Sequence, residues 1–205
     1  MNTYNYGKLI GSKTALIKII YSLAVLRNKY SYKKTRRKKG ANKALSDSYA
    51  RIDTFNSDEM KISQAKVMCK SGCSNCCHIP VTITDDEAIL ILEYCKFKNI
   101  KIDLLKAHNQ ALSKQKLEIP RQERQCIFLD SVTKSCSIYP VRPLVCRSHF
   151  SLSDPKFCDW VDNTDSGIIH FIVPRTEIEI MSIWNSNIVG LLPAMILKNI
   201  KKVKA

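Results

Sequence analysis

Only six glycines occur in 205 residues, and none falls in a G-x-G-x-x-G or P-loop pattern. Those loops use glycine so that backbone amides can close on a phosphate, so a Rossmann-type cofactor site and ordinary kinase chemistry are both disfavoured. No local Ser-His-Asp or paired-carboxylate motif appears either, which argues against an ordinary hydrolase. Acidic residues are missing from the whole N-terminal stretch: the first is Asp47, and twelve Lys and Arg precede it. The net charge of +15 therefore sits mostly in an arm, while the rest of the chain is close to neutral. Within that arm the apolar run Ile19 to Leu26 has eight residues, whereas a bilayer span takes roughly 20. No small-residue cleavage site follows it, so it is not read as an export signal. Internal repeats are absent, and the arm is the only compositionally biased tract.

What is present is a globular composition, 45% hydrophobic and 25% charged, with two Trp and six Phe for packing. Three regions are expected: a basic amphipathic arm over 1–43, disordered or lying on a surface; a cysteine-cluster metal-binding domain over 44–175; and an amphipathic helical segment over 176–205. The fold class expected is mainly α with short extended segments, a small metal-stapled domain. A helical stripe of Leu45, Tyr49, Ile52, Phe55, Met60 and Ile62 runs over 44–68. Thr84 and Glu87 form a T-x-x-E capping box for a helix over 85–98, and Thr176 with Glu179 repeats the pattern for a helix broken or kinked at Gly190 and Pro193. A further helix over 103–117 puts Leu104, Leu105, His108, Ala111 and Leu112 on one face, which makes His108 a packed core residue. Residues 168–173 read as a short strand. The basic run RNKYSYKKTRRKKGANK can hold phosphates of nucleic acid or lipid by charge alone, so an anionic surface, either nucleic acid or acidic membrane, is the expected partner of residues 1–43.

Nine cysteines carry the chemistry. Cys69, Cys73, Cys76 and Cys77 stand in the stretch CKSGCSNCC, where gaps of two and three residues let a loop curl round a soft metal ion or an iron-sulfur cluster. Gly72 frees the backbone to turn beside Cys73, and Ser71, Ser74 and Asn75 are turn formers. Cys126, Cys136 and Cys146 recur at equal spacing in a segment that Pro140 and Pro143 keep from forming a long helix. Cys158 is a possible additional ligand. Cys95 falls on the apolar face of the helix over 85–98 and reads as core. Thiolates round zinc or a cluster leave an anionic centre, so Arg142 and Arg147 are candidates for nearby positive charge. Asp130 reads as a turn cap, Tyr139 as a packed side chain, and His78 and His149 as alternative nitrogen ligands. Disulfides are the competing explanation for eight cysteines. The vicinal pair and the missing export signal favour metal.

The order C-x3-C-x2-C-C, CIFLD, CSIY and RP-x-x-CR resembles the bacterial YkgJ-type cysteine-cluster proteins, described as a zinc- or iron-chelating domain. The resemblance covers roughly residues 68–150. The family name is C-x2-C-x2-C-C, so this chain has one extra residue between Cys69 and Cys73. The resemblance implies metal or cluster binding, and a flagellin lysine methylase is related to the family. Three function classes stand: a redox or metal-binding module holding iron-sulfur or zinc; an enzyme modifying protein or RNA, methyltransferase-like and using S-adenosylmethionine with a cluster; and a structural zinc site in a nucleic-acid or membrane adaptor. Radical enzymes of that kind share the Cys69, Cys73, Cys76 spacing, but place an aromatic residue where this chain has Asn75, and they build a partial barrel. The expected location is cytoplasmic, with peripheral membrane attachment as an option.

Overall fold

The computed structural model describes residues 15–70, 72–112, 120–158 and 167–204. The fold is mainly α, as expected. Helix α1 (Ala15–Lys39) is separated from α2 (Ala41–Ser63) by Gly40 alone, whose φ of 87° is a conformation that side chains with a Cβ disfavour. Four basic residues in the last turn of α1 offset its helix dipole. The expected boundaries at 43/44 and 175/176 fall inside α2 and inside α7 (Pro174–Trp184). Residues 1–14 of the arm lie outside the described residues.

Two apolar cores organise the rest. In the first, α1, α2 and α7 pack together through Tyr32, Leu45, Tyr49, Ile52, Ile180 and Ile183, joined by Leu144 of α6 (Leu144–Ser148). Polar bonds lock the basic helix to this core. Arg36 makes two hydrogen bonds to Asp86, at 2.7 and 2.9 Å, Tyr32 donates to the same carboxylate at 2.7 Å, and Asn28 donates to Glu179 at 3.1 Å. In the second core, Ile83, Ile91, Leu92 and Cys95 of β1 (Thr82–Thr84) and α3 (Asp85–Lys98) meet Leu192, Met195 and Ile196 of α8 (Leu192–Lys204), with Phe128 and Ile138 added from the loop. β1 pairs antiparallel with β4 (Val189–Leu191), and β2 (Phe150–Ser151) with β3 (His170–Phe171). These are the only sheets among the described residues, so the parallel sheet of a partial barrel is not found there.

The capping box at Thr84 is complete: its hydroxyl accepts from the Glu87 amide, and the Glu87 carboxylate accepts from the Thr84 amide at 2.8 Å. The other oxygen of that carboxylate accepts from the Leu144 amide at 2.8 Å. One buried glutamate thus fastens the start of α3 to the start of α6 and joins the two cores.

Several local expectations are corrected. α2 begins three residues earlier than expected and ends at Ser63, leaving Ile62 exposed. The second capping box does not form. Pro174, with φ fixed for a first turn, starts α7 after Val173, and Thr176 donates instead to Asn56 at 2.7 Å. α7 ends at Trp184 because the chain turns back to pair with β1, and Gly190 sits in that strand. In α4 (Leu104–Leu112) the buried side chains are Ala107 and Gln110, while Leu104, Leu105 and His108 face solvent. Gln110 is held by the carbonyls of Glu123 and Gln125, which rotates the predicted face outwards. Residues 113–117 of the expected helix lie outside the described residues. The strand expected over 168–173 shrinks to His170–Phe171.

α7 also carries a buried acid. Burial pushes the Glu177 carboxyl up from 4.5 to about 7. The folded state therefore binds this proton more tightly than the unfolded chain. Its contribution is fully present below about pH 4.5 and is lost as pH rises towards 7, a change of at most about 3 kcal/mol. Glu177→Gln should abolish that decline. Denaturation midpoints of variant and parent are expected to coincide near pH 4 and to separate above pH 7 in favour of the glutamine.

Candidate metal centre

The first cysteine group hangs between α2 and β1. After Ser63 the helix closes on Gln64, in a left-handed conformation with φ of 52°, and the Met68 amide donates to the Ser151 carbonyl at 2.8 Å. Returning the contact, the Ser151 amide donates to the Cys69 sulfur at 3.3 Å. Gly72 takes a φ of 80°, the turn expected beside Cys73. Cys76 and Cys77 lie on a short 3-10 turn, Asn75–His78, whose Asn75 accepts from Arg121 at 3.0 Å.

The second group is set against it by the backbone. The Cys126 amide donates to the Cys77 carbonyl at 2.7 Å. A bridge between Leu129 and Cys136 closes a turn capped by Asp130, which accepts from the Val132 and Thr133 amides at 2.9 and 2.7 Å, as the sequence suggested. Phe128 and Ile138 anchor this turn in one core, and Leu144 anchors the next residues in the other. Cys146 rides on α6, directly after Pro143. The 3-10 turn Pro155–Cys158 packs on Asn75–His78 and delivers Cys158.

Eight thiols from these segments are linked electrostatically, each to at least one of the others. Burial pushes Cys146 well above the usual thiol range, and negative charge on Cys76, Cys126 or Cys136 raises it further. Burial likewise raises Cys69, with Cys73 and Cys76 adding to it, and Cys136, with Cys76 adding to it. Cys158 is pushed up to about 11 by burial, against a hydrogen bond from Ser151, with Cys76, Cys69 and Cys73 raising it. Cys76 recurs in each of these sets. The Cys77 thiol donates to the Cys76 sulfur, which lowers Cys76 and raises Cys77. Cys95 differs. It is raised to about 11 by burial alone and packs in the α3–α8 core, as expected for a structural cysteine.

Arg142 stacks on the Tyr139 ring at 4.0 Å and acts to lower Cys136. Tyr139 is 61% exposed rather than packed, which frees its face for this stacking. Arg147 is buried, with its guanidinium on Asp53 at 2.8 Å, on the carbonyls of Arg142 and Pro140, and over the Tyr49 ring at 4.1 Å. Its charge serves the joint between α2 and α6. His78 bonds the Ser74 carbonyl at 3.1 Å. His149 lies edge-on to His170 at 4.9 Å, and burial lowers it to about 4. Ser151, not singled out from sequence, touches both Cys69 and Cys158, and only the β2–β3 pairing reveals it.

Among the described residues no three Cys, His, Asp or Glu side chains stand ready-set to hold one ion. The donor chemistry nevertheless fits a metal. Partly buried thiols oppose one another's ionisation, and a divalent ion or an iron-sulfur unit is the group that offsets their combined charge. Residues 68–164 match a family model, CxxCxxCC, described as a "putative zinc- or iron-chelating domain".

The match stops short of half of the chain and is a likeness of residues 68–164 to that family. The match implies a zinc- or iron-chelating role for the CxxCxxCC segment. One curated relative is the uncharacterized protein MJ0661 of Methanocaldococcus jannaschii, 37% identical over 75 residues. That alignment covers 37% of this chain and 40% of the relative, so the chain spans about two fifths of the relative's length. No solved structure matches the chain.

Proposed function

We propose that the CxxCxxCC segment is a metal-binding module in which thiolates of Cys69, Cys73, Cys76, Cys77, Cys126, Cys136 and Cys146, with Cys158 beside them, hold zinc or iron, the iron as an ion or an iron-sulfur cluster. One observation carries this reading. Eight cysteines brought from three chain segments influence one another, with Cys76 common to every set, while the ninth is isolated in an apolar core. Eight sulfurs exceed the four that a single tetrahedral ion or one iron-sulfur cluster takes, so the segment can carry a two-metal site with shared thiolates, two separate sites, or one centre with spare thiols. When bound, the group would supply a cross-link between segments and, in the iron form, an electron acceptor. The chain's own residues position the sulfurs: Gly72 turns the first loop, the Ser151 amide directs Cys69, and Glu87 fixes the helix carrying Cys146.

The test compares Cys76→Ser with Cys95→Ala, both purified anaerobically. Cys76→Ser is expected to lose most of its bound metal, and Cys95→Ala to keep the parent stoichiometry. Full metal retention by Cys76→Ser would remove Cys76 from the centre and defeat this reading.

A further inference from the structure

Helix α1 has two faces that the fold treats in opposite ways. Val25 and Tyr32 are 8% and 2% exposed, and with Asn28 and Arg36 they are held on α7 and on Asp86 of α3. Diametrically opposite, at i, i+4, i+7 and i+11 spacing, Ile19, Leu23, Leu26 and Tyr30 are 55%, 60%, 58% and 71% exposed. The same stripe continues along the helix as exposed Lys33, Lys34 and Arg37. α1 contains no Asp or Glu, and among the described residues the only carboxylate paired with it as an ion pair goes to Arg36. Aliphatic side chains leading into a cationic patch on one outward line make an interfacial surface: apolar groups for acyl chains, ammonium and guanidinium groups for phosphate and carboxylate headgroups.

We propose that this stripe docks the protein, in the plane of the interface, on an anionic lipid surface. Lipid is favoured over nucleic acid because four exposed aliphatic and aromatic side chains at one helical pitch have no use against a phosphodiester backbone, whereas they gain from burial among acyl chains. The contact is one of lying on a bilayer. No helix among the described residues is long and apolar enough to cross one. Because α1 is fastened to α7 and to Asp86, the helix is formed before it meets the surface, and docking holds the body carrying the cysteine centre at a fixed side of the lipid. The proposal is independent of the metal reading, since it uses no cysteine.

The experiment is flotation of the full-length protein with phosphatidylcholine vesicles containing about a third phosphatidylserine, against pure phosphatidylcholine vesicles and against single-stranded polyuridylate RNA. The parent is expected to float with the anionic vesicles and far less with the neutral ones. Leu23→Gln combined with Leu26→Gln, and separately Lys33→Gln combined with Arg37→Gln, should each weaken vesicle binding at least about tenfold. All four side chains are exposed, so helical signal and bound metal should match the parent in both variants. Equal binding to neutral and anionic vesicles, or undiminished binding by the leucine pair, would overturn the proposal. RNA binding that resists the leucine changes, in a protein that ignores vesicles, would overturn it in favour of a nucleic-acid surface.

Discussion

Stripping the metal with a chelator, under anaerobic reducing conditions, is expected to lower the thermal midpoint by about 10–20 °C without abolishing the helical signal at room temperature. Structural zinc contributes about 10–16 kcal/mol in small finger peptides, which have almost no other core. This chain has two apolar cores, and the one formed by α1, α2 and α7 contains no cysteine, so the fold survives at reduced stability. The loss should be local first. The stretch from Cys126 to Tyr139 is held by one amide on Cys77, the Asp130 turn, and the side chains of Phe128 and Ile138. Amide exchange is expected to rise there and around Cys69 to His78, while α1, α2 and α7 keep their protection. A midpoint that ignores the chelator would show that the thiols staple nothing.

Arg147→Ala is the second large effect, a loss of about 3 kcal/mol in denaturant unfolding. Removing one partner of a buried ion pair costs about 3–5 kcal/mol, and the lower end applies because Asp53 is 51% exposed and can recover water. The alanine also abandons two carbonyls and the Tyr49 face. Lysine should restore less than half, since an ammonium cannot fork between a carboxylate and two carbonyls while stacking on a ring. Because α6 also bears Cys146, bound metal should fall in the same variant. An alanine variant as stable as the parent would mean that α6 is held without the guanidinium, by Leu144, by Glu87 and by the Asn56 side chain, which donates to the backbone carbonyl of Arg147 at 3.0 Å.

The chemistry was legible in the sequence where it depended on short range. The Gly72 turn, the Thr84–Glu87 box, the Asp130 cap and the core position of Cys95 all follow from residues within a few positions of each other, and all are present. The readings that failed needed tertiary context. Thr176 looks like a cap until Asn56, far away in sequence, competes for its hydroxyl. His108 sits on a plausible apolar stripe until Gln110 is claimed by two carbonyls of the following turn. Arg142 and Arg147 stand five residues apart in the same motif, yet one reaches Cys136 and the other crosses to α2. The arm reads as basic and amphipathic in sequence, and the packed structure adds which line of it is buried, Val25 and Tyr32, and which is exposed.

The most direct measurement is metal analysis and an absorption spectrum on one anaerobically purified sample, with the reactive thiols counted before and after unfolding. At least one zinc or iron per chain is predicted, with most of the nine thiols protected in the folded state. Iron with acid-labile sulfide and a broad band at roughly 400 nm would make it a cluster, and colourless protein with zinc a thiolate site. Metal-free, fully helical protein whose cysteines other than Cys95 all react would contradict the account.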